Sequence, residues 1–412
     1  MSKENIFVFV VCGNDKHIKT LNFSLKYLKH FSKNKILVVT DLTRNNIPVK
    51  HDKIIDIRTP LEFNHHQASI YIKTRLYKIL DLNNNYCYLD SDVIAIRKDV
   101  DKIFEYQYGP VTFASDHSTI DEFSPYAINC NCLRHNSEKQ KLFYQLQEKF
   151  NPNYKIKDLV LKSETNELSN IAHTIKKRPV AHINIIAKYI FTYILPIKYF
   201  KLNKKFQFDK TNRIWTDNKG NIIYYDVLNY YKNIEKNSNF KLKKINKHWT
   251  DKNGKDICVT PKCNHLIINI KKKFNVRIKK NKWRHWNGGV FLFNKSSVEF
   301  MDMWHSFTMK IFSDKNWVIR DQGTLAATTW KLGLQNQKRL PQDFNFITDF
   351  YNQNIFYDKK LGFSTDNFKS YINPYFVHVY HGFGKKNWII WNSIENILSE
   401  NQNLNKPDNK CT

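Results

Sequence analysis

The stretch Tyr86-Cys87-Tyr88-Leu89-Asp90-Ser91-Asp92-Val93-Ile94 decides the fold of this chain. An apolar run leads directly into two carboxylates that are separated by one residue, and the apolar pattern then resumes. This pattern predicts a buried strand that carries Asp90 and Asp92 at its carboxyl end. In an extended segment, residues two positions apart point to the same side and lie about 6–7 Å apart. The two carboxylates are therefore expected to face the same space.

Two carboxylates in this arrangement can share one hard divalent cation, such as Mn(II) or Mg(II), directly or through water. The carboxyl ends of strands are also where open α/β sheets bind their ligands. Asp and Ser are common in turns, so a turn without a metal is the alternative interpretation of Asp90-Ser91-Asp92. Other parts of the chain favour the metal interpretation.

The N-terminal part of the chain alternates between short apolar runs and helical spacing. The runs predict strands at residues 6–11, 36–40, 54–57 and 111–114, and the helical spacing predicts helices at residues 18–31 and 71–80. Continuous apolar runs are typical of strands that are covered on both faces. We therefore predict an α/β sheet with flanking helices.

The composition bounds the class of protein. The chain has 412 residues, of which 42% are hydrophobic, enough for one large domain or two smaller ones. The net charge of +29 can attract nucleic acid, anionic lipid or an acidic substrate. The lysines are spread along the whole sequence, and no helix-turn-helix, zinc-finger or aromatic RNA-binding motif accompanies them, so nucleic acid is not the expected partner.

The cysteines indicate a reducing compartment. The 7 cysteines are scattered and odd in number, which suits reduced thiols better than a disulfide framework. Cys258, Cys263 and His265 are close in sequence, but no second group of ligands is evident that would complete a zinc site, so they are expected to be structural. With no secretory signal and no stretch long enough to cross a bilayer, a cytoplasmic location is expected, including a peripheral position at the inner membrane face.

Residues 136–282 form a basic insert. Within it Trp215-Thr216-Asp217-Asn218-Lys219-Gly220 returns as Trp249-Thr250-Asp251-Lys252-Asn253-Gly254, and each copy predicts a β-hairpin. Each Trp either packs across its own hairpin, the favoured interpretation, or faces a sugar or acceptor. Residues 183–195 are strongly apolar with basic flanks. They predict a buried helix, which is favoured, or a helix that lies in a membrane interface.

The C-terminal part again places polar groups beside apolar runs. Short polar side chains at Asn287, Asp321 and Gln322 suit sugar hydroxyls, although Asn287 also fits a turn and Asp321 a helix N-terminus. His381 is a candidate third metal ligand, since imidazole tolerates Mn(II), although a lone His at a strand end is commonly structural. The glycines that follow it let the backbone approach phosphate. Two adjacent lysines add point charges for a diphosphate.

In this order the motifs resemble those of the GT-A-fold glycosyltransferases, most closely family 8, which includes glycogenin and the bacterial lipopolysaccharide galactosyl- and glucosyltransferases. The resemblance spans about two thirds of the chain and implies the mixed, Rossmann-like sheet of the GT-A fold. It rests on a uridine-binding loop, a basic helix followed by the Asp-x-Asp, an Asn-x-Gly-Val strand, an Asp-Gln pair beside the reacting carbon, and a His-x-x-Gly-x-x-Lys-Pro-Trp motif. The matching stretches are Val11–Asp15, Arg75–Tyr77 with Tyr88–Asp92, Asn287–Phe293, Asp321-Gln322 and His381–Trp388.

The resemblance implies a metal-dependent transferase that moves a sugar from a UDP-sugar to a glycan or lipid-linked acceptor, with retention of anomeric configuration. The implied metal ligands are Asp90, Asp92 and His381, and the implied catalytic residues are Asn287, Asp321 and Gln322. The implied donor contacts are Val11, Asn14, Asp15, Arg75, Asp90, Ser91, Gly288, Gly384, Lys385 and Lys386. The last motif is one residue shorter than in the family and has Asn387 in place of Pro, so both lysines remain candidates for the phosphate contact.

The predicted organisation is a nucleotide-binding half at residues 1–135, the basic insert at 136–282, a sugar- and metal-binding half at 283–400 and a polar tail at 401–412. The insert is far longer than in compact family members and is where acceptor contacts, or an anionic membrane contact, are expected. Two alternatives stay open. One is an inverting GT-A transferase with Asp321 as general base. The other is a non-catalytic protein whose basic surface binds acidic glycan, anionic lipid or nucleic acid.

Overall fold

The structure is a computed structural model that describes residues 3–150, 159–226, 228–243, 248–257, 261–352, 355–358, 361–365 and 370–404. It divides into two compact units. The main unit comprises Met1–Asn131 together with Lys262–Thr412, and the inserted unit comprises Cys132–Pro261. The inserted unit overlaps the predicted insert but ends earlier in the sequence.

The described elements are numbered in chain order. The strands are β1 (Asn5–Val10), β2 (Lys35–Thr40), β3 (Ile54–Asp56), β4 (Asn85–Leu89), β5 (Val93–Ala95), β6 (Val111–Thr119), β7 (Tyr199–Lys201), β8 (Phe206–Asp209), β9 (Ile214–Asp217), β10 (Ile222–Tyr225), β11 (Lys241–Lys243), β12 (His248–Thr250), β13 (Arg284–Phe293), β14 (Phe346–Asp349), β15 (Phe356–Asp358), β16 (Gly362–Ser364) and β17 (Phe376–His381). The α-helices are α1 (Asp15–Phe31), α2 (His65–Ile79), α3 (Ile120–Ala127), α4 (Cys132–Phe150), α5 (Leu159–Lys177), α6 (Ile183–Ile194), α7 (Leu228–Lys236), α8 (His265–Phe274), α9 (Val298–Lys310), α10 (Arg320–Lys331) and α11 (Ile389–Leu404).

The main unit is built on a mixed six-stranded sheet in the order β3-β2-β1-β4-β13-β6. The strands β1 to β4 are parallel, and β13 runs antiparallel to both β4 and β6. Alternate side chains of β1 enter two different hydrophobic clusters, Phe7 and Phe9 on one face and Ile6 and Val8 on the other. The prediction of a mixed α/β sheet that helices cover on both faces is confirmed.

After the Asp-x-Asp the chain enters β5, which belongs to a second, three-stranded sheet in the order β14-β17-β5. β4 ends immediately before Asp90, and β5 begins immediately after Asp92. In this second sheet His378 of β17 lies opposite Val93 of β5. The Asp-x-Asp thus links two sheets, and the second sheet brings β17 beside it.

Several elements of the main unit differ from the predicted bounds, three of them most clearly. Helix α2 begins at His65 rather than at residue 71, because Asn64 and Gln67 form a reciprocal capping box at its N-terminus. Strand β6 continues to Thr119, well past the predicted end at residue 114. Asn287, for which a turn was the alternative interpretation, is part of β13, whose pairing with β6 is irregular between Asn287 and Phe291. An irregularity of this kind re-aims side chains next to a site.

The first copy of the repeat forms the predicted hairpin, whereas the turn of the second copy is closed by an isolated bridge between Thr250 and Asp256. Strands β9 and β10 pair antiparallel across the first copy, and β12 pairs with β11 in the second. In each copy the Asp of the Trp-Thr-Asp sequence accepts backbone N–H groups of the following turn, at Asp217 and at Asp251. Trp249 is 6% exposed and packs against Phe143. Trp249 is therefore a core residue of the inserted unit, and the packing of each Trp across its own hairpin stays a prediction.

Helix α6 does not have the favoured arrangement of a buried helix. Among its apolar side chains Phe191 is 59% exposed and Ile194 is 72% exposed, while only Thr192 of this helix is buried. Ile185, Ile186 and Tyr189 on its other side line a cavity with Phe200 and Trp215 of the inserted unit. No described helix is both long and apolar enough to span a bilayer.

Candidate active site

A cavity of about 340 Å³ lies at the carboxyl end of the parallel strands of the main unit. This volume is in the range of small-molecule sites. The cavity contains six of the residues predicted for the site and a set that was not predicted. The predicted residues are Val11, Asp90, Ser91, Asp92, Asp321 and His381, and the others include His17, His66, Lys73 and Tyr88.

Backbone pairing fixes the Asp-x-Asp within this cavity. The Asp90 N–H donates to the Gly289 carbonyl of β13 at 2.8 Å, and the Asp92 carbonyl accepts the Val379 N–H of β17 at 3.0 Å. The Tyr88 hydroxyl donates to Asp90 Oδ1 at 2.6 Å. Each aspartate is therefore anchored to a different sheet, and both carboxylates face the cavity.

His378 completes a group that could hold a metal ion. Ligand atoms of Asp90, Asp92 and His378 all lie within 4.8 Å of one another. His378 Nε2 is 3.4 Å from Asp92 Oδ1. Two carboxylates and one imidazole suit Mn(II), and the oxygen ligands also suit Mg(II). The residues present therefore fit the divalent cation that the sequence predicts.

The neighbours of His378 orient its Nε2 towards the two aspartates, as a metal ligand requires. His378 Nδ1 donates to Asn345 Oδ1 at 3.0 Å, as a metal-binding histidine commonly does with its second nitrogen. Burial acts to lower the pKa of His378, but the neighbouring Asp92 carboxylate outweighs it and raises that pKa. Burial likewise acts to raise the pKa of Asp92, and the His378 imidazole outweighs it and lowers that pKa.

Because Gly289 has no side chain, His378, Asn287 and Asp90 can pack closely around its Cα atom. A Cβ atom at this position would lie 2.6 Å from His378 Cε1 and 2.9 Å from both Asn287 Oδ1 and Asp90 Oδ2. Real Cβ atoms do not approach other atoms this closely without a shift. Any side chain at Gly289 would therefore push apart the group of three.

Lys73 of α2 joins Asp90 to Asp321, the second residue of α10. Its Nζ donates to Asp90 Oδ1 and to Asp321 Oδ2, at 3.2 Å in both cases. Burial alone would lower the pKa of Lys73, but the two carboxylates raise it. Burial would raise the pKa of Asp321, and the Lys73 ammonium group lowers it. Both partners are held in their charged forms.

Asn287 and Gln322 are fixed against β13 and its neighbours. Asn287 Nδ2 donates to Asp116 Oδ2 at 3.0 Å, and its Oδ1 accepts the Gly289 N–H at 2.9 Å. Gln322 Oε1 accepts the Gly288 N–H at 2.7 Å, and its Nε2 donates to the Trp286 carbonyl at 3.1 Å. Burial acts to raise the pKa of Asp116, and His285, followed by other groups, lowers it well below its usual range.

No protein-family model matches this sequence. No curated protein matches it either. Solved structures do resemble it, at low scores. The apo WbbM bifunctional glycosyltransferase aligns with a TM-score of 0.40 and 11% identity over 96% of this chain, which spans 50% of the length of WbbM.

Two further structures align over most of both chains. Apo mouse xyloside xylosyltransferase 1 has a TM-score of 0.36 and 9% identity, over 91% of this chain and 98% of that one. An active-site mutant of LgtC has a TM-score of 0.38 and 9% identity, over 96% of this chain and 95% of that one. All three of these proteins are glycosyltransferases.

The structure places the predicted third ligand, His381, outside the group of three. The His381 side chain is 48% exposed, and its Nδ1 lies 3.3 Å from Asp349 Oδ1. It borders the same cavity, so its role as a ligand stays a prediction. The structure groups His378 with the two aspartates instead.

Several predicted donor contacts have other neighbours in this structure. Asn14 caps α1 by accepting the Lys16 and His17 N–H groups, and Arg75 donates to the Tyr71 hydroxyl. Lys385 lies over the Phe350 ring, and Lys386 pairs with Glu395. Within the described part of the chain, the residues that border the cavity do not include Asn14, Asp15, Arg75, Gly288, Gly384, Lys385 or Lys386.

Sequence reasoning missed Lys73, Asp116 and His378. A weak signal existed for Lys73, because it is three residues from Leu76 and so shares the inward face of α2. A lysine on such a face needs a buried carboxylate partner. His378 is the polar residue within an otherwise apolar strand pattern, but only the pairing of β5 with β17 shows that it meets Asp92.

Proposed function

We propose that this chain is a metal-dependent glycosyltransferase that transfers a sugar from a UDP-sugar to a glycan or lipid-linked acceptor, with retention of configuration. The observation that carries the proposal is the grouping of His378 with Asp90 and Asp92, two carboxylates that border a cavity at the strand ends. The Asp-x-Asp, the Asn287 strand and the Asp321-Gln322 helix all contribute to one network there. Convergence of motifs far apart in sequence is what a donor site requires.

Asp90, Asp92 and His378 would hold the cation, Mn(II) or Mg(II). When bound, the cation would neutralise charge on the departing diphosphate. His381 borders the same cavity with 48% of its side chain exposed, and it would contact the diphosphate or enter the metal site when donor is present. Lys385 or Lys386 would add a phosphate contact after leaving its present neighbour.

Lys73, Asp321 and Gln322 would position the sugar. Lys73 keeps Asp321 ionised, and an anionic carboxylate near the sugar would stabilise positive charge that develops at the anomeric carbon. Asn287 and Gln322 are held by β13 backbone groups and by Asp116, so their amides are preorganised. Preorganised groups of this kind stabilise a transition state without reorganisation.

The charge state of Asp321 weighs against the inverting alternative. A general base works best when its pKa lies near the working pH. The Lys73 ammonium group lowers the pKa of Asp321 despite burial, so this carboxylate is a poor proton acceptor. The geometry therefore supports an electrostatic and positioning role for Asp321, which agrees with a retaining reaction.

We further propose a cytoplasmic enzyme that works peripherally at an anionic membrane face. The exposed apolar side chains of α6 are flanked by Lys176, Lys177 and Arg178 before the helix. Apolar side chains beside basic residues suit a surface of anionic lipid, where a lipid-linked acceptor would reside.

A nucleotide-release assay over a panel of UDP- and GDP-sugars, with and without Mn(II), tests the function. We expect slow hydrolysis of one UDP-sugar that requires the metal and falls at least about 100-fold in Asp92→Asn, as for loss of a major electrostatic group. Asp52→Asn removes an exposed carboxylate and serves as the matched control. Silence over the whole panel together with no nucleotide-sugar binding by calorimetry would overturn the proposal in favour of a non-catalytic basic protein.

A further inference from the structure

A second group of metal-binding side chains lies away from the candidate active site. Ligand atoms of Cys130, Cys132, Cys263 and His265 all lie within 4.8 Å of one another. In sequence they form two short pairs, Cys130-Asn131-Cys132 and Cys263-Asn264-His265. The expectation that no second group of ligands completes a site around Cys263 and His265 is thus wrong. The pair that completes it is more than a hundred residues away in sequence, and Cys258 lies outside the described residues.

The spacing of the sulfurs fits a shared metal. Cys130 Sγ and Cys263 Sγ are 3.9 Å apart. A disulfide would bring them to about 2.05 Å. Two thiolates that bind one tetrahedral zinc with Zn–S bonds of about 2.3 Å lie about 3.8 Å apart. The observed separation matches the zinc geometry and not the disulfide.

The buried hydroxyl of Ser124 contacts one of the four proposed ligands, Cys263. Ser124 Oγ lies 3.1 Å from Cys263 Sγ, and the same oxygen accepts the Leu266 N–H at 2.9 Å. Ser124 is fully buried on α3. A metal-bound thiolate can only accept, so the Ser124 hydroxyl would donate to it. Outer hydrogen bonds of this kind orient the ligands of metal sites.

The backbone also fixes the second pair. The Cys263 N–H donates to the Asp121 carbonyl of α3 at 3.0 Å, and His265 is the first residue of α8. Lys262, immediately before Cys263, pairs with Glu122 at 2.7 Å. Cys263 is therefore anchored to α3 on both sides of its own position in the chain.

We propose that Cys130, Cys132, Cys263 and His265 bind a structural zinc ion. Three sulfurs and one imidazole select zinc over Mn(II) or Mg(II), which prefer oxygen ligands. Four protein ligands leave no open position, as in structural rather than catalytic zinc sites. The first pair lies where the chain leaves the main unit after Asn131, and the second lies just after it returns at Lys262.

Metal analysis of the full-length protein, purified without chelators from zinc-supplemented cells, tests the proposal. We expect about one zinc per chain, with retention that falls about tenfold or more in Cys130→Ser and in Cys263→Ser. Asp92→Asn should keep its zinc, which separates this site from the candidate active site. Cys87→Ala, which removes a buried thiol of β4, is the matched control and should also keep its zinc.

Cobalt substitution gives a second readout that needs no variant. Co(II) bound by cysteines shows thiolate-to-metal charge-transfer absorption, which carboxylate and imidazole ligands do not produce. We expect this absorption in the wild-type protein and its loss when zinc is added. Its absence, or zinc that persists in the cysteine variants and disappears in Asp92→Asn, would overturn the proposal. Neither result would bear on glycosyl transfer.

Discussion

At the scale of single residues, the buried ammonium group of Lys73 connects the two halves of the candidate active site. Its side chain is 8% exposed and contacts the carboxylates of Asp90 and Asp321. Asp90 is partly open to solvent, whereas the Asp321 side chain is only 12% exposed. Asp321 therefore depends most on Lys73, because a buried charge without a partner is costly.

We predict that Lys73→Met lowers the free energy of unfolding by about 3 kcal/mol, since it leaves Asp321 buried without a cation. Urea denaturation measures this loss. The double variant Lys73→Met with Asp321→Asn should recover about 1 kcal/mol or more of it, because the unpaired charge is then gone. Lys19→Met on the exposed side of α1 is the control and should change the stability by less than about 0.5 kcal/mol. An equal loss in single and double variants would contradict this role for Lys73.

At the scale of elements, the sheet could be predicted and the partners of its side chains could not. The apolar runs of β1, β2 and β4 mark buried strands because both of their faces are covered. No local pattern indicated that β5 pairs with β17, since those strands are far apart in sequence. That pairing places His378 beside Asp92, whereas the sequence motif predicts His381 as the ligand.

The contact between α2 and α9 predicts a specific pH dependence. Thr74 Oγ1 lies 2.8 Å from His305 Nδ1. Burial, followed by the positive charge of Arg75, lowers the pKa of His305 from 6.5 to about 4. The unfolded chain therefore binds more protons than the folded one in this window. The free energy of unfolding is therefore not reduced by His305 above pH about 6.5, and it decreases as the pH falls from there towards 4.

We predict that His305→Gln flattens the pH dependence of stability between pH 6.5 and 4. The slope that His305 contributes is at most about 1.4 kcal/mol per pH unit. Denaturant titrations of wild type and variant at several pH values measure the difference, and the exposed His30→Gln is the matched control. Parallel curves for wild type and His305→Gln throughout this window would show that His305 is not the group responsible.

Helix α6 carries the prediction about membrane contact. The variant that combines Phe191→Ser with Ile194→Ser removes two exposed apolar side chains. We expect it to bind vesicles of phosphatidylcholine with phosphatidylglycerol about tenfold more weakly in co-sedimentation, since about 1.4 kcal/mol of apolar insertion would be lost. Leu61→Ser, at a 94% exposed leucine of the main unit, is the control and should bind like wild type. Unchanged binding by the α6 variant, or no binding by the wild type, would refute the membrane contact.

At the scale of the whole molecule, two metal sites of different chemistry are proposed for one chain. The Asp-x-Asp could be found from sequence because its two residues are neighbours. The cysteine and histidine ligands could not be assembled, since Cys130 and Cys263 meet only after the chain has passed through the inserted unit. The net charge of +29 is spread over the sequence and identified no site by itself.

The most direct test of the central claim is Mn(II) binding measured by electron paramagnetic resonance in the presence of UDP, with the proposed zinc site already loaded. Wild-type protein should bind about one Mn(II) ion, and Asp92→Asn and His378→Gln should each weaken that binding about tenfold or more. His30→Gln serves as the control and should bind like wild type. Absence of Mn(II) binding, or binding that both variants leave unchanged, would contradict the assignment of Asp90, Asp92 and His378 as the metal site.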